Sequence, residues 1–190
     1  MQKDFFFPDE PRWTILLIDM QRDTPGIDTE KKSRLVAYQS KVLEYASTND
    51  IPAVIAEVEG NGATTRELRD IAKNIGRKRT IRKRQEDCFS SNYLEHQLEK
   101  WRTNCLYLMG VYAGGCVMET AETAAIKGYG IATHPDAIAS IHEEVFAKAS
   151  EWYKANGIFG ADYRRLFSLN AGNGQRKTRE LARREPLVTY

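Results

Sequence analysis

Three side chains of this sequence combine into one reaction. Cys116 follows a glycine-bearing turn, 110–115, where a helix should begin; Asp19 closes an apolar run; Lys83 closes a shorter, mixed run. A helix start favours thiolate over thiol, because unpaired backbone N–H groups point at the sulfur. A lysine nearby lowers the thiol pKa further. A carboxylate can take the thiol proton and later pass it to a leaving group. Backbone N–H groups of the 110–116 turn can face a developing oxyanion, much as in a strand–turn–helix nucleophile elbow. Each residue also has a plainer reading. Asp19 could be a cap, Lys83 a solvated charge amid Arg77, Lys78, Arg79, Arg82 and Arg84, and Cys116 a small buried apolar group.

For these groups to meet, the chain between them must fold so that all three arrive at one rim. The run WTILLI, 13–18, reads as a strand buried on both faces, and PAVIA, 52–56, as a second. RTIRK, 79–83, is a weaker strand whose charge suits a sheet edge. NCLYLM, 104–109, is again buried in pattern, and 130–133 and 157–159 are short strands. Between them lie helical stretches at 30–47, 64–75, 92–101, 116–127, 143–155 and 162–168, with Thr64 or Thr65 as N-cap of the second. This alternation predicts an α/β fold, a parallel sheet covered on both faces. In such sheets ligands sit beyond the carboxyl ends of the strands, where Asp19, Lys83 and Cys116 fall.

The composition bounds the rest. The chain has 190 residues, 42% hydrophobic and 28% charged, which fits one globular domain over 1–170. The 171–190 tail is polar and basic and carries a charge of +3 against +2 for the whole chain, so the body is near neutral. That weakens a nucleic-acid reading, which would want a basic face on the folded domain. Apolar runs are far too short to span a bilayer, and the N-terminus has no secretory pattern, so no membrane partner is expected and the cytoplasm is the expected compartment. Three cysteines without a CxxC pair suggest neither a disulfide framework nor a zinc knuckle, and the three histidines form no ligand pair. No metal and no cofactor are expected. The chain also lacks the GxGxxG and P-loop patterns.

LLIDMQ (16–21), the K-x5-F element from Lys83 to Phe89, and GVYAGGCVMETAETAAIKGYGIATHPDAIAS (110–140) resemble the isochorismatase-like cysteine hydrolases over roughly residues 13–160. The resemblance implies a three-layer α/β/α fold with a six-stranded, mainly parallel, Rossmann-like sheet. It implies a Cys–Asp–Lys triad at Cys116, Asp19 and Lys83, a cis peptide at Val111–Tyr112, and an oxyanion hole from the N–H groups of Tyr112 and Cys116. Gln21, Phe89 and Tyr112 are the expected substrate contacts. A small-molecule substrate and a homo-oligomer, dimer or tetramer, are the expected partners.

The sequence departs from the family in two places. Where the nicotinamidase branch has a metal site, this chain reads AEVEGNGATT (56–65) with no histidine, which argues against a nicotinamidase; Glu57 and Glu59 there read as solvated loop acids. Where many relatives place an aromatic pocket wall, it has Arg22-Asp23-Thr24-Pro25. Phe89, Tyr112 or, from a neighbouring subunit, Trp152 or Tyr153 are the alternative walls. GVYA at 110–113 resembles the true isochorismatases, which cleave a vinyl ether through the aspartate and lack the thiol. Amide-type cleavage through Cys116 is therefore weighed against vinyl-ether hydrolysis through Asp19 and against a binding protein with a relic site.

Overall fold

The structure is a computed structural model that describes residues 7–22 and 26–168. Residues 23–25 of the 22–25 stretch and the whole 171–190 tail lie outside the described residues.

Strand β1 (Trp13–Ile18) is buried at every position, as a central strand with two covered faces must be. It is flanked by β2 (Ala53–Val58) on one side and β4 (Cys105–Val111) on the other. β3 (Lys78–Lys83) lies outside β2, and β5 (Gly130–Thr133) and β7 (Ile158–Phe159) continue beyond β4, giving the order β3-β2-β1-β4-β5-β7 with parallel pairing. These are the six expected strands. A seventh, the two-residue β6 (Ile138–Ala139), adds to the carboxyl end of β4 at Gly110 and Val111.

Side chains alternate across each strand, and so does the core. Ile15 and Leu17 of β1, with Tyr107 and Met109 of β4, face one cluster. It is completed by α1 (Thr29–Thr48), α2 (Arg66–Ala72) and α6 (Tyr163–Phe167). Leu16 and Ile18, with Leu106 and Leu108, face the other, covered by α3 (Asn92–Lys100), α4 (Cys116–Ile126) and α5 (Glu143–Asn156). The result is the expected three-layer α/β/α sandwich.

Two details position the rim. β1 and β4 are adjacent in space but far apart in sequence, so the chain reverses its direction of winding between them. Such a switch point opens a crevice at the carboxyl edge. Gly110 allows the closest approach there: its φ is 144°, and a Cβ at that position would overlap the Ile18 carbonyl. The expected edge character of β3 holds, with only Ile81 and Lys83 buried along it. Of the two candidate caps, Thr65 stands at the start of α2 without a side-chain bond to it, while Thr64 bonds Glu57 instead.

Candidate active site

Asp19 follows β1 directly, at the switch point. Its backbone turns into the left-handed region (φ 53°) while its N–H is held by the Ala56 carbonyl at 3.0 Å. Few residues other than glycine adopt that conformation readily, though aspartate tolerates it better than most. Lys83 ends β3, two strands away, so the backbones stand about 10 Å apart. The four-carbon arm of lysine spans that gap, and Lys83 Nζ lies 2.8 Å from Asp19 Oδ2 with its side chain wholly buried. The same ammonium donates to the carbonyls of Gln85 (3.1 Å) and Glu86 (2.8 Å). Those three acceptors match its three N–H donors, which satisfies a buried cation that would otherwise be costly.

Cys116 is the first residue of α4, with Gly115 as N-cap, and its thiol is hydrogen-bonded to the Asp19 carboxylate. The structure thus brings together all three residues that the sequence singled out. Burial raises the Asp19 carboxyl above its ordinary range, against the pull of Cys116 and Lys83. Burial alone would lower the Lys83 ammonium, but Asp19 beside it reverses the sign. The expected lowering of the Cys116 thiol does not appear in this resting arrangement. Burial, then the hydrogen bond and charge of Asp19, push the thiol up to about 12, and Lys83 pulls only partly the other way. The group at rest is a thiol donating to a carboxylate.

The turn before Cys116 is fixed from several sides. Val111–Tyr112 is a cis peptide, as the resemblance implied. The Tyr112 carbonyl accepts from Gly115 N–H and Val117 N–H, Ala113 N–H donates to Ala139 of β6, and the Tyr153 hydroxyl donates to the Ala113 carbonyl at 2.8 Å. Tyr112 is half-buried beside the triad, since Cys116 and Asp19 both act on its hydroxyl.

Three expected pocket residues stand elsewhere. The Gln21 amide donates to the carbonyls of Val58 and Gly62 and accepts from Val58 N–H, so it clamps the loop after β2. Phe89 packs on Tyr129, with the Lys127 ammonium over its ring. Lys127 stands eleven residues past Cys116, about 16 Å along the helix axis, so Phe89 is no wall of this site. The segment from Asp87 to Phe89 lies along α4, pinned by Cys88 N–H to Thr120 and by Thr123 to Asp87. Tyr153, considered as a wall from a neighbouring subunit, is buried in its own core, and Trp152 packs against it.

Sequence reasoning missed Glu86. Its carbonyl holds Lys83, and its carboxylate lies against Gly115 (Oε2 3.2 Å from where a Cβ would stand) and acts on Asp19 and Cys116. In the string QED after Lys83 it reads as one more solvated acid, and only its closeness to Lys83 hinted otherwise. In the loop after β2, Glu57 is taken up by Thr64 (N–H 2.7 Å, hydroxyl 2.8 Å) and Glu59 by Arg84 at 2.8 Å. Among the described residues no group of three or more His, Cys, Asp or Glu side chains is placed to hold a metal ion, and these glutamates do not converge as a ligand set.

An isochorismatase domain model matches residues 14–157. The chain belongs to the isochorismatase family. No curated protein matches its sequence, but solved structures share its fold. The MAR1 ribonuclease of Caenorhabditis elegans superposes with a TM-score of 0.73 at 17% identity, covering 95% of this chain and 98% of its own. A nicotinamidase of Staphylococcus aureus gives 0.70 at 17%, covering 78% and 98%. The N-carbamoylsarcosine amidase of Thermoplasma acidophilum gives 0.67 at 18%, covering 78% and 95%. The chain is an isochorismatase-like hydrolase. No helix among the described residues is long and apolar enough to cross a membrane.

Proposed function

We propose that this isochorismatase-like hydrolase cleaves a C–N bond of amide type in a small molecule, with Cys116 as nucleophile. The observation that carries this is the buried Asp19–Lys83 pair, 2.8 Å apart, with the Cys116 thiol bonded to the same carboxylate. Asp19 takes the Sγ proton as sulfur attacks the carbonyl carbon, so the thiolate forms only as it reacts. The carbonyl π pair moves to oxygen, which the N–H groups of Tyr112 and Cys116 receive. Asp19 then gives the proton to the leaving nitrogen, the C–N bond breaks and a thioester remains. Water, losing its proton to Asp19, attacks the thioester; the C–S bond breaks, the proton returns to sulfur and the acid leaves. Lys83 holds Asp19 in place throughout and favours its anionic form whenever it must accept a proton.

Free cysteines suit a reducing compartment, in keeping with the cytoplasm. The exposed Val145 beside the nucleophile turn, and the exposed Ile141 beside Gly26, support association with further copies of the chain. An amide and ureido library assayed with wild type and Cys116→Ala tests the reaction: turnover found in the wild type should vanish in the variant, with an acyl adduct on Cys116 visible by mass spectrometry. Undiminished turnover in Cys116→Ala, with loss only in Asp19→Ala, would instead indicate vinyl-ether chemistry. RNA serves as a control substrate, and RNA cleavage that survives Cys116→Ala would displace the proposal.

A further inference from the structure

One cavity, of about 240 Å3, holds charged groups that the proposed reaction does not use. That is more room than the ~150 Å3 that accommodates benzene in an engineered cavity. Three segments meet there. The start of α1 supplies Lys31, Arg34 and Leu35; the 135–139 segment supplies Asp136 and Ile138; and α5 supplies Phe146 and Glu143, whose carboxylate is taken by Lys31. No triad residue lines it. Its wall is nevertheless tied to the nucleophile turn, since Ala139 accepts the Ala113 N–H.

The charges around this cavity are only partly spent on one another. Lys31 donates to Glu143 (2.6 Å) and to the Ser140 carbonyl (3.4 Å), two uses for three N–H donors. Arg34 has one ion pair, to Glu30 at 3.4 Å, and five donors to give. Asp136 has His134 Nδ1 at 3.5 Å, but that nitrogen accepts the Asp136 N–H and so bears no proton to neutralise the carboxylate. The cavity therefore offers spare cationic donors from α1, an unneutralised carboxylate from the 135–137 turn, and the apolar surface of Leu35, Ile138 and Phe146. The Ser140 hydroxyl in the same wall is buried and lacks a hydrogen-bond partner, a further unmet polar group there.

We propose that this cavity binds the zwitterion of a small α-amino acid with an apolar side chain. The carboxylate meets Arg34 and Lys31, the ammonium meets Asp136, and the side chain lies on the apolar wall. A ligand carrying one charge leaves the opposite group unmatched. The site does not depend on the reaction assigned to Cys116.

Calorimetric titration of the full chain tests this with three probes: L-leucine, isocaproate, which lacks the amine, and isoamylamine, which lacks the carboxylate. Leucine should bind saturably and at least tenfold more tightly than either analogue. Arg34→Gln should weaken leucine at least fivefold and leave isoamylamine unchanged, and Asp136→Asn should weaken leucine as much and leave isocaproate unchanged. Both side chains are largely exposed, so the variants should fold, as circular dichroism checks. Cys116→Ala should bind leucine as the wild type does, whatever its turnover. Absence of saturable leucine binding, equal binding of either analogue, indifference to both charge variants, or loss of binding in Cys116→Ala would each overturn the proposal.

Discussion

The ends of β1 and β2 lie side by side on one rim, and both carry acids. At the end of β1, Asp19 is buried and its carboxylate meets an ammonium and a thiol at once. At the end of β2, Glu57 is half-buried and satisfied by the Thr64 N–H and hydroxyl, while Glu59 faces Arg84 in solvent. The residue types barely differ. What differs is the partner set: Glu57 is spent on its own loop, whereas Asp19 is held against groups from β3 and from the start of α4. A carboxylate bound to an ionisable hydrogen that can leave is equipped for proton transfer; one bound to a backbone N–H is equipped for holding a loop.

The contrast breaks most visibly if the two ends respond alike to mutation. Asp19→Asn should lower turnover by about 10^2–10^4-fold, yet raise the alkylation rate of Cys116 at pH 8, because burial alone then holds the thiol up, without the carboxylate that adds to it in the wild type. Iodoacetamide labelling followed over pH reads both the shift and its direction. Lys83→Met strands a buried carboxylate and should cost about 3–5 kcal/mol of stability in urea denaturation. Glu57→Ala removes an acceptor from the Thr64 N–H and should cost about 1–2 kcal/mol. Glu59→Ala, at a largely exposed ion pair, should stay within about 0.5 kcal/mol on the same measurement. The finest test lies at Glu86, whose charge adds only slightly to the upward push on the thiol. Glu86→Gln should shift Cys116 alkylation toward lower pH, in the direction of Asp19→Asn but by less.

The strand positions of the triad were legible because strand ends are marked locally: an apolar run stops at a charge, and a helix starts after glycines. Phe89 and Gln21 were not legible as structural residues. Their spacing from Lys83 and Asp19 is short in sequence, but the chain after Lys83 turns along α4 and carries Phe89 away from the rim. The Gln21 side chain turns toward a loop some forty residues later. Tyr153 was similarly opaque, since the carbonyl it holds belongs to Ala113, forty residues earlier.

By itself the sequence determined the alternation of strands and helices, the two-faced burial of β1 and β4, and the rim on which Asp19, Lys83 and Cys116 stand. Those follow from periodicity and local turn chemistry, which act over a few residues. Only the tertiary structure decided the protonation of the resting site. Burial and the closeness of Asp19 outweigh the pull of Lys83, so the sulfur keeps its proton. Charge interactions and desolvation depend on distance through space, and folding sets that distance between groups far apart along the chain.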